Sequence, residues 1–256
     1  MRFLLRNILP PVITLLLVMG LLELAVGMKW VRAFILPPPS KVIAAMFEPR
    51  TDLWNALFVT ARSTLEGFAI SITLGVFIAI VLSSSKWLRA ALLPYTIFFQ
   101  TVPIIAIAPM LVIWLGFGAP TVRAAACIAS VFPVIANTYA GLASVDPNLR
   151  DLFKLYRAGW LSTLLRLRLP FALPQMLTGL KIAAGLAVIG AMVGELVGSS
   201  GGLGSVIDVS RTQLRNDKIF AAVLLSSLLG LGLFLIVTIV SKITLRHWHA
   251  SESSNS

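Results

Sequence analysis

The sequence comprises 256 residues, of which 58% are hydrophobic and only 12% are charged. Its mean hydropathy is +0.93. A soluble protein of this length carries about a quarter charged residues, so a soluble domain is excluded and most of the chain must face lipid. The net charge is +11, but the basic residues are scattered through short loops between apolar runs. This distribution indicates orientation in a membrane rather than nucleic-acid binding.

The first apolar run covers residues 8–28 and predicts a transmembrane helix. A cleavable signal peptide is the alternative, because the start is basic and Ala25 and Gly27 are small. The length of the run, and Glu23 near its end, favour a membrane span.

A proline-rich stretch follows at residues 36–41, and then an amphipathic segment, 42–47, that predicts an interfacial helix lying on the membrane. The second span is predicted over residues 53–84. Its first half contains Arg62 and Glu66, which are four residues apart, lie on one helix face and can pair with each other.

The third span is predicted over residues 92–117, and Pro94, Pro103 and Pro109 interrupt it. Each proline frees a carbonyl group, which a membrane helix tolerates only where neighbouring helices or a cavity provide a partner. The fourth span is predicted over residues 121–142.

The fifth and sixth spans are predicted over residues 175–197 and 219–243. Between them, the glycine-rich stretch 198–204 lacks the Gly-Lys-Ser/Thr ending of a phosphate-binding loop and follows no strand, so we expect a flexible turn. The polar tail, residues 244–256, is predicted to be unstructured.

Small residues recur along the fifth span and predict close helix packing. One row is Gly190, Gly194 and Gly198, and the other is Gly179, Ala183, Ala187 and Ala191. Packing within the chain is the simplest interpretation, and a dimer interface or a pore wall is the alternative. The one cysteine, Cys127, lies in an apolar run and is expected to be a small core residue.

The predicted spans do not bring together the residue types that form enzyme active sites. Both histidines, His247 and His249, lie in the tail, so no histidine dyad or histidine metal site is expected in the membrane. We therefore predict no catalytic residue, no metal site and no cofactor in this chain. An ion-coupled secondary carrier or a membrane-embedded enzyme is the alternative, and a carrier would need Glu66 or Glu195 to load protons.

Polar side chains inside spans are costly in lipid and are therefore candidates for the lining of a translocation path. The candidates are Gln100, Thr101, Asn137 and Glu195.

The loop at residues 143–174 carries five of the 21 basic residues. It predicts two short helices separated by Ala158 and Gly159. Its apolar positions suit docking into a groove of a soluble partner, with an interfacial helix resting on lipid as the alternative.

Part of this loop, DLFKLYRAGWLSTLLRLRLP at 151–170, resembles the "EAA" loop of the permease subunits of binding-protein-dependent ABC importers. That loop reads Glu-Ala-Ala, three residues, Gly, nine residues, Ile, one residue, Leu-Pro. Asp151 falls on the glutamate, Arg157 on the glycine and Leu167 on the isoleucine. Because Arg157 replaces the glycine, we expect Gly159 to supply the bend.

The resemblance extends over nearly the whole chain. The strings LPPPS (36–40), QTVPIIAIAP (100–109), WLGFG (114–118), LPFALP (169–174) and GELVGSSGGLG (194–204) resemble the nitrate/sulfonate/taurine-type permeases. Residues 144–156 are most similar to the branch associated with riboflavin and thiamine-pyrimidine precursors.

The resemblance implies an all-α polytopic membrane protein with six transmembrane helices and the type I ABC importer (MetI-like) permease fold. It divides the chain into an N-terminal span and external segment (1–52), a transmembrane domain (53–245) with a coupling loop (143–174), and a tail (246–256). The implied coupling residues are Asp151, Leu152, Phe153, Leu155, Tyr156, Arg157, Ala158, Gly159, Leu169 and Pro170.

The same resemblance implies a homodimer that works with two cytoplasmic ATPase subunits, which hold ATP and Mg, and with an extracytoplasmic solute-binding protein. The solute would be a vitamin or vitamin precursor such as riboflavin or a thiamine pyrimidine, or else a sulfonate-like or nitrate-like anion. The location would be the bacterial inner membrane, and the excess of basic residues in the 143–174 loop predicts that both termini are cytoplasmic.

Overall fold

The computed structural model describes residues 9–48, 52–199 and 201–246, and within them every regular element is a helix. In chain order these are α1 (Leu9–Gly27), α2 (Pro39–Met46), α3 (Leu53–Ser84), α4 (Lys86–Thr101), α5 (Ile104–Leu115), α6 (Ala119–Ala143), α7 (Pro147–Leu155), α8 (Trp160–Thr163), a π-helix (Leu164–Arg168), α9 (Leu169–Gly198), α10 (Leu203–Thr212) and α11 (Asn216–Leu245). Five helical stretches are long and apolar enough to cross a membrane: α1, α3, α6, Trp160–Gly198 and α11. The predicted all-helical membrane fold is confirmed.

The predicted third span is not one helix but two. Val102 and Pro103 have extended backbone angles, and they separate α4 from α5. Proline lacks an N–H group and disfavours a helical conformation in the residue before it, so the helix ends at this point. With twelve residues, α5 is only about 18 Å long.

The fifth span begins six residues before its predicted start, at Leu169. Pro170 is its second residue, and the backbone of the π-helix continues directly into α9. The sixth span is confirmed as α11. Between them the structure adds α10, which the sequence did not predict. Of the predicted unstructured tail, residues 244–245 instead belong to α11, and the part that carries His247 and His249 lies outside the described residues.

The centre of the bundle is the contact between α6 and α9. A β-carbon on Gly190 would lie 2.5 Å from the carbonyl oxygen of Ala125, and one on Gly194 would lie 2.9 Å from the α-carbon of Val122. Only glycine permits this approach of the two backbones. Fully buried alanines continue the contact along α9: Ala183, Ala187 and Ala191. The small residues of the fifth span therefore pack within the chain.

Helix α3 packs against α6 from a different side than α9 does. A β-carbon on Gly67 would lie 2.6 Å from that of Ala126, and one on Gly75 would lie 2.7 Å from that of Val134. Cys127 is buried in α6, as predicted. α6 is thus held between two helices that both approach through glycine.

Helix α2 packs differently from the prediction. The helix exists, but its apolar side is buried against α3, α10 and α11 through Val42, Leu53, Leu203 and Leu225. It does not lie on lipid with its apolar face.

Helix α1 is by contrast largely unburied. Of its residues only Val26 is buried, so its apolar surface suits contact with lipid. Glu23 connects α1 to α2, because its carboxylate accepts hydrogen bonds from the backbone N–H of Ser40 (3.1 Å) and from the Ser40 hydroxyl (2.7 Å).

The bundle has two ends, named here by the elements that cover them. At the coupling-loop end, α3 and α6 finish and the 143–174 loop lies across them. At the α10 end, α9 finishes beside the start of α6, where the N–H of Gly118 donates to the carbonyl oxygen of Gly198 at 2.6 Å.

Arg215 forms ion pairs at the surface of the α10 end. Its guanidinium donates to Asp217 at 2.7 Å and to Glu48 at 2.9 Å. The hydrogen bonds to Asp217 and Glu48 raise the pKa of Arg215 above its usual range. Arg215 therefore stays charged and joins the segment after α2 to the start of α11.

Candidate functional site

The coupling loop begins with a well-formed short helix, α7. The Asp146 side chain accepts a hydrogen bond from the Asn148 N–H at 2.7 Å, and Pro147 occupies the first helical position. Both features favour helix initiation. The two short helices predicted from the sequence are present as α7 and α8, and the second continues through the π-helix into α9.

Large apolar side chains at the end of α7 are turned to the surface. Leu155 is 81% exposed and Tyr156 is 80% exposed. Other large apolar residues of the loop are exposed to a lesser degree, between 44% and 59%: Leu152, Trp160, Leu161 and Leu165. Phe153 and Ala158 are partly buried, while Asp151 is exposed and pairs with Lys154 at 2.8 Å. An exposed apolar cluster rimmed by charges indicates an interaction surface.

The bend between α7 and α8 lies at Arg157 and not at Gly159. Arg157 has a φ of +50°, in the left-handed region that favours glycine. Gly159 has a φ of −63°, which any residue adopts. The expectation that Gly159 supplies the bend is therefore wrong: Arg157 itself adopts the conformation that suits the glycine it replaces in the family pattern.

Arg168 joins the loop to the membrane helices. Its guanidinium donates to the carbonyl oxygen of Ser83 at the end of α3 and to that of Leu142 at the end of α6, at 3.2–3.3 Å. A cation at the C-terminal ends of helices is stabilising, because carbonyl groups there have no helical partner. Arg150 adds a second connection, to the carbonyl oxygen of Ala143 at 2.6 Å.

Apolar packing supports the same junction. Leu164 of the π-helix is buried with Ala79 of α3, Leu142 of α6 and Ala172 of α9. Leu169 and Pro170 are partly buried where the loop enters α9. The loop is thus held to three long helices at once.

A cavity of about 750 Å³ lies between the α4–α5 pair and α6 and α9. Gln100 and Thr101 are among its lining residues, together with Tyr95. Most of the other lining residues are apolar, such as Phe132 and Ile189. Small-molecule sites share this composition of an apolar wall with a few polar groups.

The other two path candidates lie elsewhere. Asn137 is on α6 beside Gly179 of α9, and its side-chain amide donates to the carbonyl oxygen of Pro133 at 2.9 Å. Glu195 is 1% exposed and is enclosed at the α10 end. The structure therefore brings together Gln100 and Thr101 but neither Asn137 nor Glu195 with them.

The pair predicted from the second span has a third member. Glu66 accepts from Arg62 at 2.9 Å and from Arg123 of α6 at 3.1 Å. These bonds connect α3 with α6 at a partly exposed position.

Two residues of the site were missed by the sequence reasoning. Arg168 could have been found, since it is the basic residue immediately before the Leu-Pro ending of the loop. Thr60, which contacts Glu195, gives no local signal because the two residues are 135 positions apart in the chain.

Comparison with known proteins agrees with this architecture. Residues 71–246 match the family model described as binding-protein-dependent transport system inner membrane component. A probable ABC transporter permease protein of Haemophilus influenzae is 37% identical over 78% of this chain and 82% of the relative. The formylaminopyrimidine transport permease protein of Halalkalibacterium halodurans is 34% identical over 87% of this chain and 89% of the relative.

A solved structure shows the same fold. The inward-facing methionine ABC transporter superposes with a TM-score of 0.61 at 17% identity, covering 75% of this chain and 99% of that one. The match of the family model and the extent of the two relatives decide the assignment. The chain belongs to the family of inner-membrane components of binding-protein-dependent transport systems and is the permease subunit of an ABC importer.

Proposed function

We propose that two copies of this subunit form the translocation path, that each coupling loop binds a separate cytoplasmic ATPase subunit, and that an extracytoplasmic binding protein delivers the solute at the α10 end. The exposed Leu155 and Tyr156 carry the proposal. They lie at the tip of a loop that Arg168 fixes to α3 and α6. A partner that binds the tip is therefore connected to these membrane helices through the loop.

The proposed mechanism needs no catalytic residue in this chain. Nucleotide binding brings the two ATPase subunits together, and the two coupling loops follow them. Since α9 continues from the loop without a break, its close packing on α6 turns loop movement into helix movement. Nucleotide binding then selects between inward-open and outward-open states.

The orientation follows from the same assignment. If the coupling loop meets a cytoplasmic ATPase, the coupling-loop end is cytoplasmic and so are both termini. The bases of the loop, among them Lys154 and Arg157, fit this direction.

The carboxylates argue against the ion-coupled carrier. Glu66 is paired with two arginines, and Glu195 is enclosed away from the cavity by Thr60 and the start of α10. A proton carrier needs a carboxylate that loads and releases protons along the path.

Co-purification tests the coupling role. Leu155→Asp places a charge in the centre of the proposed contact, and losing a central apolar anchor costs about 2 kcal/mol or more, a weakening of about thirtyfold. We expect the wild-type subunit to purify from detergent with an ATPase and the variant to purify without it.

Lys154→Gln is the matched control. It alters the adjacent side chain, whose exposed ion pair with Asp151 contributes little, and should leave association intact. Unaltered association of the Leu155→Asp variant would contradict the coupling role.

For the solute we propose an uncharged heterocycle of the size of a pyrimidine or flavin precursor. The cavity offers an apolar wall with the amide of Gln100 and the hydroxyl of Tyr95 as neutral hydrogen-bonding groups, and one relative is named for formylaminopyrimidine transport.

Uptake into membrane vesicles that contain the complete transporter tests this proposal. Radiolabelled formylaminopyrimidine should accumulate with ATP, and unlabelled riboflavin or ethanesulfonate added as competitor would identify the other solutes discussed. Uptake of radiolabelled ethanesulfonate without uptake of radiolabelled formylaminopyrimidine would contradict the uncharged solute.

A further inference from the structure

Glu195 is a buried carboxylate in the last turn of α9 that has no part in the cavity. Its Oε2 accepts a hydrogen bond from the Thr60 hydroxyl of α3 at 2.9 Å and another from the Gly204 N–H of α10 at 2.9 Å. The Thr60 oxygen also accepts from the Leu203 N–H at 2.8 Å. One carboxylate thus connects three helices.

These hydrogen bonds cap the start of α10. The first N–H groups of a helix have no partner inside it, and negative charge is stabilising there. Leu203 and Gly204 are the first two residues of α10. The cap comes from Thr60 of α3 and Glu195 of α9 instead of from the residue before the helix, and the bond to Gly204 makes the position of α10 depend on the position of α9.

The turn before α10 is shaped around the carboxylate. Gly202 has a φ of +100°, and a β-carbon on it would lie 2.3 Å from Oε1 of Glu195. A β-carbon on Gly204 would lie 2.6 Å from that of Glu195. Oε1 itself is buried and has no hydrogen-bond partner among the residues that the structure describes. A carboxylate held this tightly, with one oxygen unpaired, is costly to bury, which indicates a role that a smaller apolar side chain would not fill.

We propose that Glu195 is a positioning residue that makes α10 move with α9 when nucleotide binding moves the coupling loop. This inference rests on the proposed function, because it takes the driving movement from the ATPase. Under this proposal, the side chain of Glu195 links movement at the cytoplasmic end of the transporter to movement at its outer end. Since α10 lies where the binding protein would deliver solute, the connection lets nucleotide state control the outer surface.

A labelling experiment tests the proposal on the complete transporter in membrane vesicles. Cys127 is buried, whereas Val209 of α10 is 53% exposed, so Val209→Cys provides one reactive thiol in each copy of the subunit for a membrane-impermeant maleimide. The labelling rate is measured without nucleotide and with ATP plus vanadate, and ATP hydrolysis is measured on the same vesicles.

With Glu195 intact, we expect the labelling rate to change with nucleotide. With Glu195→Ala, two hydrogen bonds to a charged group are lost, which weakens the connection about tenfold or more, and the nucleotide dependence should disappear while basal ATP hydrolysis persists. Glu195→Gln keeps an oxygen that accepts both hydrogen bonds and should restore the dependence. A side chain that only stabilised the fold would lower assembly, hydrolysis and labelling together.

Milder variants keep the test decisive if Glu195→Ala fails to assemble. Thr60→Val removes the hydroxyl at nearly constant volume and should reduce the nucleotide dependence, whereas Thr60→Ser should retain it. Gly202→Ala should act like Glu195→Ala, and Gly201→Ala is its control, because a β-carbon there has its nearest neighbour at 3.9 Å.

Nucleotide-dependent labelling that persists in Glu195→Ala or, should that variant not assemble, that is undiminished in Thr60→Val would overturn the proposal, as would labelling of the intact protein that nucleotide does not change. A complex without ATPase activity would instead refute the proposed function, so the two failures are distinguishable.

Discussion

The two ends of α9 are held in opposite ways. At the coupling-loop end, charged guanidinium groups anchor the chain to helix carbonyls and large apolar side chains such as Leu155 face outward. At the α10 end, the carboxylate of Glu195 is buried and its hydrogen bonds stay within the chain. Exposed apolar surface outside the membrane suits binding to another protein, whereas a buried polar connection between helices suits transmission of movement inside one chain. Under the proposed function, the coupling-loop end binds the ATPase and the α10 end transmits the movement.

The anchoring at the first end can be broken at Arg168. Arg168→Gln loses the charged donor that joins the loop to Ser83 and Leu142, and losing hydrogen bonds of a charged group lowers the coupling about tenfold. We expect ATPase binding to persist while ATP-driven uptake into vesicles falls by that factor.

Arg166→Gln is the control for this prediction. It removes a neighbouring charge from an exposed position of the same π-helix, and uptake should stay near the wild-type rate. If both variants transport equally, the loop is not anchored through Arg168.

A smaller effect is expected at Arg157, where the loop stores backbone strain. Arg157 has a positive φ, which costs a residue with a β-carbon about 1–2 kcal/mol relative to glycine. Arg157→Gly should therefore raise the thermal unfolding midpoint of the detergent-purified subunit modestly.

Arg157→Ala keeps the β-carbon and should show no such gain. Equal stabilisation by both substitutions would mean that the arginine charge, and not the backbone conformation, sets the stability of the loop.

Helices α1 and α9 show what could be predicted from the sequence. Both are apolar, yet α1 is almost unburied and α9 is central to the bundle. Hydropathy identified both as membrane helices but could not rank their burial. The four-residue spacing of glycine and alanine indicated that α9 is buried, because small side chains recur on one helix face where another helix packs closely against it.

The break at Pro103 and the start of α10 depend on contacts between distant parts of the chain, which no local sequence pattern reveals. Pro103 itself is a local signal, but whether a membrane helix bends or ends at a proline depends on its neighbours. Glycines at 198–204 predicted a flexible turn, whereas the structure starts α10 at Leu203 because Thr60 and Glu195 bind its first N–H groups. Thr60 and Glu195 are distant in sequence, so neither side chain reveals its partner.

The most direct test of ATP-driven coupling is the distance between the coupling loops of two copies in the purified transporter. Asn148 is exposed on α7, so spin labels on Asn148→Cys report the separation of the two loops. We expect a shorter distance with ATP plus vanadate than without nucleotide, and no shortening when Leu155→Asp is added. An unchanged distance in a complex that binds and hydrolyses ATP would contradict the claim that the ATPase moves the membrane helices through this loop.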